Sequence, residues 1–313
     1  MGGTRLAVIG VGHLGQHHAR ILAALPDVEL VGVADIKPDR AREVATRHGT
    51  TPFTTAADLV GRVDGVCIAT PTVSHVDVAL PFVESGAAVL VEKPLAASLA
   101  GADRLIAAAD ARGTLLATGH TERFNPAVTA AMPLVSQPRF IEIHRLGAFP
   151  DRSLDIDVIF DLMIHDLDVL LAMVGPDVAS VEAVGVDVLT PRVDIANARL
   201  RFASGCIANV TASRISRDRV RKARFFQHDA YISIDYAAQE LEMYRLVSSN
   251  GGRAVIEGGR IDVAPDEPLR RELMDFVAAI RGRRAPAVTG RDGRAALALA
   301  TRVSELISRG NSA

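Results

Sequence analysis

An apolar strand that runs straight into a glycine-rich turn constrains this chain most. Leu6-Ala7-Val8-Ile9 leads into Gly10-Val11-Gly12-His13-Leu14-Gly15, and a helical stretch, Gln16 to Leu25, follows at once. Each glycine has a physical task in such a strand–turn–helix. Gly10 permits the tight turn, Gly12 leaves bare backbone for a pyrophosphate, and Gly15 lets the helix sit close on the strand. The first helical amides and the positive end of the helix dipole then face the phosphates. The next strand, Leu30-Val31-Gly32-Val33-Ala34, ends in Asp35. Its carboxylate is placed to accept both ribose hydroxyls and to repel a ribose phosphate. NAD is therefore the expected cofactor, bound by Gly10, Gly12, His13, Leu14, Gly15 and Asp35. NADP stays open, because Lys37 and Arg40 stand close enough to accommodate a phosphate. The competing reading is a glycine-rich turn with a structural role alone.

Up to about residue 120, apolar runs of strand length alternate with amphipathic stretches. The runs are Leu6–Ile9, Glu29–Ala34, Gly65–Ala69, Ala88–Val91 and Leu115–Thr118, with helices over Pro38–His48, Val76–Ser85 and Leu99–Arg112 between them. Unbroken apolar strands of this kind are buried on both faces of a parallel sheet. The fold class expected is α/β: a doubly wound parallel Rossmann sheet over residues 1–121, then a substrate-binding and oligomerisation α+β domain over 122–313. In that second part the apolar period becomes two. Ala196, Ala198, Leu200 and Phe202 alternate with polar residues, as do Ala208, Val210 and Ala212. With further runs at Arg224–His228, Tyr231–Tyr236 and Glu240–Val247, this reads as an open, mainly antiparallel sheet. Glycine-rich Ser248–Arg260 reads as a loop, and a helix over Arg291–Ser308 closes the chain. Such a sheet needs a cover, so a homodimer or homotetramer through it is expected, with a simply solvated face as the alternative.

At 313 residues the chain has length for two domains and a sizeable core. Its 35 Lys and Arg nearly balance 37 Asp and Glu, which argues against nucleic-acid or membrane-surface partners. Cys67 and Cys206 lie in apolar runs and read as reduced core residues. No secretion signal or membrane span is legible, so a soluble, cytoplasmic protein is expected.

Two segments carry reactive groups. The first, Val91-Glu92-Lys93-Pro94, ends a parallel strand, and ligands bind beyond such ends in a doubly wound sheet. Pro94 fixes the backbone after the lysine and admits a cis bond. An ammonium there hydrogen-bonds a substrate hydroxyl and steadies the oxyanion as the proton leaves; the alternative is an ordinary surface lysine. The second segment is mostly apolar, yet Asp161, His165 and Asp168 recur at i, i+4 and i+7, one stripe of a helix. Unpaired in a core, each such group costs about 1–3 kcal/mol, so the stripe reads as facing a wet cleft. His165 then serves as general base, with Asp161 orienting it or binding substrate hydroxyls. A helix cap with a satisfied core histidine is the competing reading. No metal is expected, because oxidising an alcohol with NAD, Lys and His needs no Lewis acid.

In the order of GVGHLG, ATPTVSH at Ala69–His75, VEKP, and Asp161 with His165, the chain resembles the Gfo/Idh/MocA oxidoreductases over essentially its whole length. The resemblance implies an NAD-dependent dehydrogenase of a sugar or polyol. It places Lys93, Asp161 and His165 at the substrate beside the nicotinamide. It also implies cofactor contacts from Thr70, Pro71, His75, Glu92, Lys93 and Arg123. Thr72 stands where the family often has Asn, and Asp155-Ile156-Asp157-Val158-Ile159-Phe160 replaces its glycine-rich lead-in. A finer likeness, to bacterial dehydrogenases acting on the 3-hydroxyl of UDP-N-acetylglucosamine, rests on RSLDIDVIFDLMIHDLD and SRISRDRVRKARFF. Arg214, Arg217, Arg219, Arg221, Lys222 and Arg224 crowd into eleven residues there. Arginine forks match diphosphate oxygens, so Arg214 and Arg217 are expected at a UDP-sugar; a solvated hairpin tip or a subunit contact is the alternative. The competing functions are a free-sugar or inositol dehydrogenase, or a non-catalytic NAD-sensing scaffold.

Overall fold

Strands buried on both faces need helices on both faces, and the first part of the chain supplies them. The computed structural model describes residues 2–149, 156–248 and 254–310. In the first unit, β1 (Thr4–Ile9), α1 (Gly15–Ala24), β2 (Val28–Ala34), α2 (Pro38–His48) and β3 (Thr51–Phe53) are followed by β4 (Gly65–Ile68), α3 (His75–Ser85), β5 (Ala88–Glu92), α4 (Leu99–Arg112) and β6 (Leu116–Gly119). The six strands are parallel, in the order β3-β2-β1-β4-β5-β6. The strand order reverses direction between β1 and β4, the place where such sheets open a ligand crevice. Helix α1 packs against α2, and α3 against α4.

The second unit carries α5 (Pro126–Ala131), β7 (Phe140–Leu146), α6 (Ile164–Val174) and the strands β8 (Val178–Val186), β9 (Ile195–Phe202), β10 (Ile207–Ser213), β11 (Val220–Phe226), β12 (Ala230–Asp235), β13 (Glu240–Ser248) and β14 (Ala254–Ile261). Its eight-stranded sheet runs β14-β13-β12-β11-β7-β10-β9-β8. All its pairs are antiparallel except β7 with β10. The alternation expected of β9 and β10 is present: Ala196, Ala198, Leu200, Ala208, Val210 and Ala212 are buried. The other face carries a row of rings across four strands, Phe140, Phe226, Tyr231 and Tyr244, with centroids 5.7, 5.2 and 6.2 Å apart.

Two expectations are revised. The glycine-rich stretch read as a loop over Ser248–Arg260 is strand in its described part, the end of β13 and residues 254–260 of β14, while 249–253 lie outside the described residues. Gly258 and Gly259 have φ of 139° and 151°. A Cβ on Gly258 would stand 2.0 Å from the Met243 carbonyl oxygen, so glycine there allows close strand pairing. The chain also divides differently after residue 268. Helix α7 (Pro268–Gly282) precedes α8 (Gly290–Gly310), and residues 269–297 group with residues 1–121. The reason is packing: Leu273, Phe276 and Val277 join Leu6, Val8, Val33 and Leu90 in one core. Because Phe276 is fully enclosed in that core, Phe276→Ala should cost about 3–5 kcal/mol in urea unfolding.

Candidate active site

In the first unit the crevice is built around the glycine turn. Gly10 adopts φ of +82°, and a Cβ on it would meet the Ala69 and Thr70 backbone within 2.9 Å. A Cβ on Gly15 would lie 1.8 Å from the Gly10 carbonyl oxygen, whereas one on Gly12 would meet nothing within 4 Å. Gly12, His13 and Leu14 form an exposed crest between buried Val11 and Gly15. The three glycines thus have the three environments a dinucleotide turn requires: strained, open and tightly packed. Asp35 stands beside the crest, its carboxylate accepting from the amides of Val11 at 3.0 Å and Lys37 at 2.9 Å. Arg40 is held by the crest itself, with Nε donating to the Val11 carbonyl at 2.8 Å and Nη2 to Gln16 at 2.9 Å, while Nη1 pairs with Glu43. These residues fit NAD: Asp35 would meet the ribose hydroxyls, and the nearby Arg40 is already engaged.

The loops after β4 and β5 are tied together by a residue expected to touch the cofactor. His75 is buried, with Nε2 2.9 Å from the Thr70 carbonyl and Nδ1 3.0 Å from that of Pro94. Burial holds its pKa below the ordinary histidine value, against the pull of the two carbonyls. His75 therefore clamps the Thr70 and Pro94 carbonyls, tying the two loops together. Glu92 is also engaged internally. It is buried, its Oε1 lies 2.8 Å from His18 Nε2, and its Oε2 accepts from the Lys93 amide at 3.2 Å. Burial opposes its ionisation, but the His18 contact and the Lys93 charge outweigh that and hold the carboxyl below its usual range. The Lys93–Pro94 peptide is cis. His18, which sequence reasoning missed, is fully buried on α1; nothing in the pair His17-His18 distinguishes it from a helix-surface residue.

In the second unit, Asp161 and His165 are both half-buried. The expected single helical stripe is not what carries them. Ile159–Met163 forms one π-helical turn ahead of α6, so spacing based on 3.6 residues per turn fails across Asp161 and His165. Asp168 does not face a wet cleft: it is 1% exposed and accepts from Arg123 Nη1 at 3.4 Å. Asp155 of the lead-in lies outside the described residues. Beneath the helix, Arg145 grips Asp166 with Nε and Nη2 at 2.7 and 2.8 Å, and reaches Glu122 with Nη1 at 2.9 Å. Its guanidinium lies 5.1 Å over the Tyr236 ring. Burial raises the Asp166 pKa, with Arg145 opposing the rise. Sequence reasoning missed this support as well, because Arg145 and Asp166 are 21 residues apart with no shared motif.

Arg214, expected at a UDP-sugar, is instead engaged within the protein. It is 2% exposed; Nε donates to Asp194 at 2.8 Å, Nη1 to the Ile156 carbonyl at 2.6 Å and Nη2 to Thr190 at 3.0 Å. Arg217 is exposed on the turn that follows. Asp194 also accepts from the amides of Val188, Leu189 and Thr190. Burial disfavours its charge, yet these amides and Arg214 hold its pKa well below the carboxylate range. A depressed folded-state pKa gives stability that is present above the unfolded value, about 3.9, and is lost as pH falls below it. Thermal melts should show that acid-side loss, and Asp194→Asn should be less stable at neutral pH with a flatter acid limb.

Both parts of the chain match known proteins. Residues 4–120 match the oxidoreductase family with an NAD-binding Rossmann fold, and residues 135–232 match the Gfo/Idh/MocA C-terminal domain. UDP-N-acetylglucosamine 3-dehydrogenase of Acidithiobacillus ferrooxidans is 40% identical over 301 residues, 96% of each chain. The solved structure of that enzyme, GnnA, superposes with a TM-score of 0.91 at 39% identity and covers 98% of both chains. The scyllo-inositol 2-dehydrogenase (NAD(+)) of Bacillus subtilis is 27% identical, covering 92% of this chain and 90% of its own. With its turn built for NAD and both domains matched, the chain belongs to the Gfo/Idh/MocA family of oxidoreductases.

Proposed function

We propose that this chain is a cytoplasmic NAD-dependent dehydrogenase that oxidises the 3-hydroxyl of UDP-N-acetylglucosamine. The observation that carries the substrate is the 40% identity, across 96% of both chains, to an enzyme of that name. The inositol dehydrogenases stand further off, at 27% identity for the Bacillus subtilis enzyme. NAD, when bound along Gly10–Gly15 and Asp35, supplies the hydride acceptor. Lys93 donates a hydrogen bond to the substrate hydroxyl and stabilises negative charge as it develops on that oxygen. His165 accepts the hydroxyl proton, and Asp161 orients His165 or a neighbouring hydroxyl. Glu92, anchored by His18, steadies the backbone from which Lys93 projects. Arg123, held by Asp168, serves the cofactor side. A ketone at C3 is what an aminotransferase needs to make a 3-amino sugar of the kind used in lipid A. The buried free cysteines Cys67 and Cys206 suit a reducing compartment.

The outer face of the large sheet supports assembly. Tyr244, Leu246 and Ile256 are exposed there, next to the row of rings, and a contiguous apolar patch on a sheet face is a contact surface. Light scattering should find a dimer or tetramer, and Tyr244→Asp with Ile256→Asp should shift it to monomer.

Purified protein given NAD and UDP-N-acetylglucosamine, with a ketone trap, should generate NADH, while free glucose and inositol should not. Lys93→Ala and His165→Ala should each lower kcat about 10²–10⁴-fold. NADH formation with a free sugar or inositol alone would overturn the substrate. Silence from every substrate, with tightly held cofactor ruled out, would favour a sensing role.

A further inference from the structure

The two-residue period of β11 sorts the cations of residues 214–224 into different roles. Arg214 is consumed by Asp194. Lys222 pairs with Asp235 at 3.2 Å and Arg224 with Glu142 at 3.3 Å, and both lie on the face of the ring row, because they share the parity of Phe226. Arg221 has the opposite parity. In the antiparallel pairing of β11 with β7 it stands directly opposite Arg145, and directly opposed residues share a face. Arg145 binds Asp166 of α6, so Arg221 projects from the face on which the helix carrying His165 lies.

Two guanidiniums placed directly opposite repel each other. Arg145 is compensated by Asp166, Glu122 and the Tyr236 ring. Arg221 feels the charges of Glu122 and Asp166 only at a distance and bonds to neither. It is half-buried, and among the described residues no hydrogen bond or ion pair reaches its guanidinium. Burial first, and the Arg145 charge next, hold its pKa below the ordinary arginine value. Arg219, two residues earlier, and Arg217 are exposed, likewise with no ion pair among the described residues. A partly desolvated cation beside a second cation is a receptor for an anion that the chain itself does not provide.

We infer that Arg221, with Arg219 as a second cation, receives the diphosphate of the nucleotide-sugar substrate and so makes this site prefer a nucleotide sugar to a free sugar. This inference rests on the nucleotide-sugar reading above and assigns the anchoring role within the basic segment. Arg214 is excluded because it is fully bonded, and Lys222 and Arg224 because they lie on the other face.

The test is calorimetric titration of the NADH-loaded full chain with UDP and with uridine, which lacks the phosphates. Wild type should bind UDP well above uridine. Arg221→Gln should weaken UDP roughly tenfold to hundredfold, the range for hydrogen bonds to charged groups. Uridine and NADH affinities should stay within about twofold, as should UDP affinity in Arg224→Gln, the effect of a typical surface change. Arg221→Lys, which keeps the charge without the fork, should fall between, and a thermal melt checks that each variant folds. In turnover, Arg221→Gln should raise KM for UDP-N-acetylglucosamine with kcat nearly unchanged. Unchanged UDP affinity in a folded Arg221→Gln overturns the inference while leaving the substrate standing if wild type still turns it over. Equal losses for UDP and uridine also overturn it, as a structural effect. Wild type that neither binds UDP nor oxidises UDP-N-acetylglucosamine removes the inference together with the substrate reading.

Discussion

The first unit depends on a side chain that is absent. With no side chain at Gly15, α1 can descend until its start lies against the Gly10 carbonyl, where a Cβ would sit 1.8 Å from the oxygen. That approach brings His18, one turn further along α1, down to Glu92 at the end of β5. It also leaves Gly12 proud of the surface, with open space above its backbone. The turn that makes room for a pyrophosphate and the pair that steadies Lys93 are thus two consequences of one steric condition. His75 extends the same logic by clamping the Thr70 and Pro94 carbonyls.

The second unit positions its chemistry by charge. Asp166 with Arg145, Asp168 with Arg123 and Asp194 with Arg214 are ion pairs of largely buried partners. Such pairs contribute little net stability over apolar packing, because desolvation offsets their attraction. Their geometry is nonetheless strict, since removing one partner strands a buried charge. Two of the three hold carboxylates of α6 that follow His165 within three residues, and the third fixes the chain beside Ile156 at the approach to the π turn. A π turn ahead of α6 adds a local departure of the kind found at functional sites.

Much of the candidate site is readable in the sequence. The glycine turn, Asp35, Lys93 and the pair Asp161 and His165 are local signals, each readable within a short window. The failures share a different cause. Arg214 looked like its neighbours in a basic run, and only the fold set it against Asp194, twenty residues away. Glycines in β14 read as a loop because their close approach is to Met243 on another strand. The segment that forms α7 falls by chain position within the expected second domain, yet its apolar face belongs to the core of β1, β2 and β5.

By itself, then, the sequence determined what depends on neighbouring residues: the parallel sheet, the dinucleotide turn, the alternation of the second sheet and the identity of the reactive groups. These follow from backbone sterics and apolar period, which act over a few residues. Tertiary structure alone decided which charges are spent on internal ion pairs. Six cations within eleven residues are equivalent as a string. Strand register separates them, because a one-residue step turns a side chain to the opposite face and changes which carboxylates it can reach.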